Sequence, residues 1–459
     1  MTKPNWQSNP VHPAAVLSAM AFSFLAAVHP SIAQAPEGDP FQINTTTFGS
    51  QRAPSIDGTG GEFLVVWKDP GLRAQRLDAG GRPLAAEFEL LEETPYRHRI
   101  ARQPDGDVLV VWRTIPDPVY ARLLDAEGNP KTEALEISPF GDLTAVTTDT
   151  DGRFVIVYEE YEYLDFKDIR VRRLDADGQF LGADMSVGIG RSSQVAATDD
   201  GGFVVAWTFE DSVYTFTYET LVRKYNAEGQ PANPARVIQE SVPDHLEVAP
   251  TPGGFAVVWA TSNIETQKFD FNAQPQGPVV EVVPPTSKPP RDLDAATDSD
   301  GRLLIAWPQN LQVFSRSVAE DGSTLGGTFR LDAGTLSFEP RVASVDTGRF
   351  LAAFVSDTSA GGDTSGTSIQ GRLLVDEDLF ADGFEGGGPL AWGHVTGVPG
   401  CLPAAQLDCG DPVVRGDTNG PGTTRVLENY PCQLAGPQSG PEAAYLFVPP
   451  ASGQVDLLL

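Results

Sequence analysis

The stretch Asp199–Trp207, DDGGFVVAW, decides the fold, because something close to it occurs seven times along the chain. The copies are GGEFLVVW ending at Trp67, DGDVLVVW at Trp112, DGRFVIVY at Tyr158, GGFVVAW at Trp207, GGFAVVW at Trp259, GRLLIAW at Trp307 and GRFLAAF at Phe354. Asp-Gly and Gly-Gly supply the positive φ angles of a tight hairpin. The apolar run that follows has no polar alternation, so both of its faces must be covered.

Successive copies stand 45 to 52 residues apart, and a fixed period in the forties marks a propeller or a solenoid. Each unit carries four strand signals: a short segment such as SQVAAT, the apolar run, a strand such as AQRLD or LVRKYN, and a last strand such as EFELL or DMSVG. A second turn separates the last two, at Asp78–Gly81, Asp125–Gly128, Asp175–Gly178 and Asn226–Gly229. The seventh unit stops after its third strand, SIQGRLLV, while an unassigned strand, FQINTTT (Phe41–Thr47), precedes the first unit. Lending that strand to the last unit closes a ring. The expected fold is all-β: a seven-bladed β-propeller over residues 38–378, closed by an N-terminal strand, with another all-β repeat array as the alternative.

Sixty-two acidic against 32 basic residues give a formal charge of -30, which repels nucleic acid and anionic membrane faces. The N-terminus has Lys3, the apolar run PAAVLSAMAFSFLAAV and then SIAQAPEGDP, the pattern of a secretory signal peptide over residues 1–33, with Ser31 and Ala33 suiting a cleavage site. No later run is long enough to span a bilayer. A secreted monomer is expected, with the periplasm or cell surface as alternative addresses. The only cysteines are Cys401, Cys409 and Cys432, so in an oxidising compartment one pair joins and one is left over.

Function is to be sought where the repeat breaks. From the aromatic ending the second strand to the basic residue of the third, units 1, 2, 5 and 6 use nine or ten residues, whereas units 3, 4 and 7 use 15 to 18. The third and fourth loops offer Glu159, Tyr161, Tyr163 and Asp165 beside Asp211, Tyr214, Phe216 and Tyr218. Aromatics among carboxylates stack on a sugar ring while accepting bonds from its hydroxyls, or grip a cationic peptide. Arg99, Gln194, Asp294 and Arg341 start inner strands at the channel mouth, where solvated lining is the plainer reading. A base recurs in the third strand, at Arg76, Arg122, Arg173, Arg223, Lys268, Arg316 and Arg372, which suggests ties between blades.

No catalytic constellation stands out: there is neither HExxH nor GxSxG, and His98, His245 and His394 are scattered. The Asp-rich turns at Asp149, Asp199 and Asp298 invite a calcium reading, but no further ligands follow at the offsets a calcium loop needs. No cofactor is therefore expected.

After a Gly-rich linker (residues 379–400), residues 401–459 change character. Cys409-Gly410, the turn Gly416-Asp417-Thr418, Tyr430 with Cys432, Gly440-Pro441-Glu442, the aromatics Tyr445 and Phe447, and Ser452-Gly453 follow one another. This segment resembles the bacterial pre-peptidase C-terminal domain. The resemblance implies a partial β-sandwich with a Cys409–Cys432 disulfide, on a secreted protein, concerned with secretion or surface binding. The repeats resemble propellers of other exported bacterial proteins. The leading functional expectation is a secreted, non-enzymatic propeller binding an extracellular carbohydrate or protein on the face of the long third and fourth loops. The alternatives are a hydrolase working from channel-mouth carboxylates and a surface or adhesion protein whose C-terminal part is missing.

Overall fold

A computed structural model describes residues 34–115, 118–161, 167–211, 217–285, 290, 292–346, 348–357, 366–376, 406–407 and 446–447. The chain divides into two units, Met1–Asp378 and Leu379–Leu459. In the second, β28 (Gln406–Leu407) pairs in parallel with β29 (Leu446–Phe447). The expected signal peptide, linker, Cys401 and Cys409–Cys432 disulfide lie outside the described residues, as does all of the expected β-sandwich but these two short strands.

Every described element of the first unit is a β-strand, and every pairing is antiparallel between neighbours in a sheet. After β1 (Gln34–Gln42), one sheet is built from β2 (Arg52–Thr59), β3 (Glu62–Asp69), β4 (Gly71–Asp78) and β5 (Phe88–Leu91), and the next from β6 (Arg97–Arg102), β7 (Val108–Arg113), β8 (Val119–Leu124) and β9 (Leu135–Ser138). Then come β10 (Gly141–Thr148), β11 (Phe154–Tyr161), β12 (Lys167–Leu174), β13 (Met185–Ala197), β14 (Phe203–Asp211), β15 (Thr217–Tyr225) and β16 (Arg236–Gln239) in one sheet. A further sheet holds β17 (His245–Thr251), β18 (Gly254–Ala260), β19 (Ile264–Asp270) and β20 (Val280–Val283). Another holds β21 (Asp294–Thr297), β22 (Leu303–Gln309), β23 (Gln312–Val318) and β24 (Thr324–Arg330). Finally β25 (Ser337–Asp346), β26 (Arg349–Ser356) and β27 (Ser368–Asp376) take β1 as their fourth strand.

The propeller is thus present, but the expectation of seven separate blades is corrected: five four-stranded sheets stand by themselves, and one sheet has seven strands. The cause is β13, whose Met185–Gly190 half pairs with β12 and whose Arg191–Ala197 half pairs with β14. Pro95, Pro139, Pro243 and Pro284 interrupt four of the equivalent junctions, and proline cannot donate to a ladder. VGIGRSS has none and its backbone runs on from one sheet to the next, whereas residues 331–336, which also lack proline, turn through Asp332, Ala333 and Gly334 and leave β24 and β25 in separate sheets.

Inner strands β2, β6, β10, β13, β17, β21 and β25 touch one another in that order and β25 returns to β2, which closes a ring around an axis. Each hydrophobic cluster of the first unit spans two neighbouring repeats; Trp67 shares one with Leu351 and Val355, Trp112 with Leu64 and Val66. That is why the second strand is apolar on both faces. Closure uses β1 on β27, with Phe41 opposite Gly371 and Ile43 N donating to Ile369 O at 2.8 Å. The closing strand therefore begins several residues earlier than the expected Phe41–Thr47.

In a chain this acidic, cations serve as ties between neighbouring repeats. Arg76 bonds Glu62 and reaches Glu127 of the following sheet at 3.5 Å, Arg173 donates to Ala227 O, and Lys268 donates to Gly301 O at 3.0 Å and Glu320 O at 2.7 Å. Arg223 and Arg316 reach back to Val187 O and Val282 O. The recurring base of the third strand thus works mostly across blade borders.

One turn departs from good chemistry. Asn310 and Leu311 join β22 to β23 with φ of 52° and 65°, and a bulky exposed leucine in the left-handed region is strained. Leu311→Gly is expected to raise stability by about 1 kcal/mol, read as an upward shift of the urea midpoint at unchanged m-value.

Candidate functional site

The outer face of the ring formed by second-to-third and fourth-to-first strand connections carries a cleft of about 700 Å³, lined by Arg191, Ser192, Tyr218, Glu240, Ser241, Val242, Pro243 and Asp244. Three segments build it: the switch point of β13, the start of β15, and the loop from β16 to β17. At the switch point a β-bulge between Arg191 and Gln194 puts Ser192 at φ 53°, a conformation that aims its side chain away from the regular ladder. Ser193, the next residue, is buried and fixed from below: its N–H donates to a Glu159 carboxylate oxygen at 3.2 Å, and its hydroxyl lies 3.0 Å from that of Thr144. Thr220 Oγ1 donates to Ser241 O at 2.8 Å and pins the loop to β15.

Tyr218 is 40% exposed at this cleft, with an aromatic face available beside Arg191, Glu240 and Asp244. Among the described members of the eight sequence-expected binding residues, Tyr218 lines this cleft. Glu159 goes elsewhere: its side chain is only 4% exposed and accepts from Lys167 Nζ at 2.8 Å, so it holds the bulge and does not face solvent. Tyr161 and Asp211 end β11 and β14, paired with Lys167 and Thr217. Tyr163, Asp165, Tyr214 and Phe216 lie outside the described residues. Arg191, Ser192, Glu240 and Asp244 escaped sequence reading because the bulge that gathers them leaves no mark on composition.

A second constellation lies at one level of the axis. Each inner strand pairs one residue with the position just before the buried aromatic of its second strand: Ser55, Arg99, Ala145, Gln194, Glu247, Asp294 and Arg341. The four channel-mouth residues read from the sequence share this layer. Glu247 is the charged member that reading missed, beside the uncharged Ser55 and Ala145. It stands 12 residues before Trp259, whereas Arg99, Gln194, Asp294 and Arg341 stand 13 before their aromatics, because the Pro252-Gly253 turn is one residue shorter.

Within the layer Arg341 Nη1 donates to Asp292 Oδ1 at 3.1 Å, and Val342 N donates to Asp294 Oδ2 at 2.7 Å. Arg99 Nη1 donates to His98 O at 3.0 Å. Burial, then the charge of Glu247, pushes the Asp294 carboxyl up to about 7 against the opposing pull of Arg341 and the Val342 amide. Burial and the like charge of Arg341 bring Arg99 down to about 10, and burial takes His98 down to about 3, so that imidazole is neutral at any ordinary pH. A protonated carboxyl facing ionised neighbours can donate a hydrogen bond or a proton to a ligand.

The raised Asp294 carries a stability signature. The folded protein holds this proton above the unfolded value of 3.8, so stability falls as pH rises from about 4 to 7. Asp294→Asn keeps an acceptor for Val342 N–H and removes the ionisation. It is expected to gain about 2 kcal/mol over the parent at pH 8, after discounting for channel water, and nothing at pH 4. Urea titrations of both proteins at the two pH values measure it; an equal gap at both would refute it.

Among the described residues no group of three or more His, Cys, Asp or Glu side chains is placed to hold a metal ion. The first Asp of two of the Asp-rich turns is spent on its own turn: Asp149 Oδ1 accepts from Asp151 N and Arg153 N, and Asp298 Oδ1 from Asp300 N and Arg302 N. No helix among the described residues is long and apolar enough to cross a membrane.

No protein-family model and no curated protein matches this chain. Solved structures resemble it in fold. The β-propeller domain of the Trilobed protease from Pyrococcus furiosus, described as having an open velcro topology, is 10% identical over 72% of this chain and 96% of that one, with a TM-score of 0.47. The β-propeller domain of Cps50 (Swd1) from Myceliophteria thermophila is 9% identical over 73% and 99%, with a TM-score of 0.46. The calcium-binding protein regucalcin from Agrobacterium tumefaciens is 13% identical over 74% and 94%, with a TM-score of 0.39.

Proposed function

We propose that the protein is an exported, non-enzymatic binding propeller whose ligand is an extracellular carbohydrate, taken at the cleft around Tyr218. The observation that carries this reading is the cleft itself: a half-exposed phenol ring set among Arg191, Glu240 and Asp244 in a concavity of about 700 Å³. That volume falls in the range of small-molecule sites, and one aromatic platform ringed by charged and hydroxyl groups suits a sugar, whose faces are apolar and whose edges are polar.

A protein ligand is the second reading. Phe48, Tyr96, Ile115, Phe140 and Leu311 lie on connections of the same face and Ile189 lies in β13 just before its switch point; all six are between 44% and 88% exposed. Large exposed apolar groups gathered on one side favour a macromolecular partner.

Glycan and peptide arrays probed with the mature chain separate the two. Under the first reading a glycan signal weakens at least tenfold in Tyr218→Ala, and an unchanged signal removes the cleft from consideration. Turnover of any ligand that disappears in Asp294→Asn would replace the binding reading with a hydrolase.

A further inference from the structure

The axial layer is a balance of charges in which two groups are left over. Arg341 is matched by Asp292 at 3.1 Å. Asp294 is occupied by the Val342 amide, and burial and the Glu247 charge raise its pKa so that it keeps part of its proton near pH 7. Arg99 has no carboxylate within ion-pair distance among the described residues: one of its five N–H donors meets the His98 carbonyl, and the half-buried guanidinium keeps the rest for the channel. Glu247 is half-buried as well, and the nearest cationic candidate is the His245 imidazole at 3.9 Å.

These two lie across the axis from each other. Around the ring β6, which carries Arg99, is separated from β17, which carries Glu247, by β10 and β13 on one side and by β2, β25 and β21 on the other. They are close enough for the Glu247 charge to act on Arg99. A simple anion arriving at Arg99 would meet Glu247, Asp292 and a strongly acidic protein; a simple cation arriving at Glu247 would meet Arg99 and Arg341. A ligand that carries both charges meets neither objection.

We propose that the mouth of the axial channel binds a short zwitterion, a free α-amino acid or a small peptide with both termini free, its carboxylate on Arg99 and its ammonium on Glu247. Arg341 holds Asp292 by an ion pair and the Val342 amide holds Asp294, so both carboxylates have partners other than Arg99. The site is separate from the Tyr218 cleft, and neither depends on the other.

Isothermal titration calorimetry on the full chain, with glycine, diglycine and triglycine, tests this. At least one should bind saturably, with N-acetylated and C-terminally amidated forms of the same compound at least tenfold weaker. Arg99→Gln and Glu247→Gln should each weaken binding at least tenfold, while Arg99→Lys retains part of it and Tyr218→Ala retains all of it. Melting curves of each variant confirm that the fold is kept. No binding by any of the three compounds, or equal binding by acetate, meaning an adventitious ion only, overturns the proposal.

Discussion

Deleting residues 34–43 is expected to abolish the folded ring. This segment lies more than 320 residues away in sequence from the strand it completes, with Gln34 opposite Asp376 and Gln42 opposite Gln370. Its removal strips β27 of its partner along most of its length and uncovers one side of the cluster that joins the last sheet to the first. Phe41 and Ile43 leave a cluster containing Phe63, Trp67, Leu351 and Val355. Asn44, whose side-chain oxygen accepts Ile369 N–H at 2.8 Å, loses its anchor beside Ile43. Burial of two large apolar side chains contributes about 2 kcal/mol each, and each ladder bond about 1 kcal/mol. The total approaches the whole stability of an ordinary domain, about 5–15 kcal/mol. A bare apolar edge would also pair with other copies. Circular dichroism melts and gel filtration should show a protein without a cooperative transition, or an aggregate. A synthetic peptide spanning residues 34–44 added in trans should restore the transition. A truncated monomer melting within a few degrees of the parent would show that closure is not what holds the ring.

How much of this could be read from the chain depends on which contacts are periodic. DDGGFVVAW announces a hairpin and a doubly covered strand, and the structure shows why the acidic residues recur: Asp200 Oδ1 accepts from Gly202 N at 3.2 Å and from buried Lys224 at 2.9 Å, while Asp199 reaches Gly253 N of the next sheet at 3.1 Å. Those bonds are local or join equivalent positions, so they repeat with the sequence. The continuity of β13 does not repeat. It belongs to a single junction, VGIGRSS, and a search for recurring signals passes over it. Glu159 was misplaced for a related reason. It follows the buried Tyr158 on a strand covered on both faces, so pointing away from Tyr158 still means pointing into a neighbouring sheet. The channel residues were readable by counting back from each aromatic, except where a shortened turn moved Glu247 by one. Tyr218 was readable because its loop breaks the repeat; the cleft around it was not, because three distant segments form it.

The second large effect belongs to one of the Asp-rich turns. Asp298→Ala is expected to cost about 3–5 kcal/mol, which is large for a residue in a surface hairpin. The side chain is wholly buried and accepts four bonds: Asp300 N at 3.1 Å and Arg302 N at 2.9 Å on one oxygen, Arg302 Nε at 2.8 Å and Gly348 N at 2.8 Å on the other. The first two make the turn, the third neutralises a guanidinium that is 9% exposed, and the fourth ties the turn to the next sheet. Alanine removes all of these at once and leaves Arg302 without the carboxylate at its Nε. Asp298→Asn keeps one good acceptor but not the charge, and should cost less, about 2 kcal/mol. Guanidinium melts of both variants measure the difference. Chelation separates this account from a calcium loop: if the carboxylate serves the turn, the parent's midpoint does not move with EDTA or added calcium and the cost of Asp298→Ala is the same in both. A midpoint that drops on chelation to the level of the alanine variant would mean that the carboxylate's energetic role is to hold an ion.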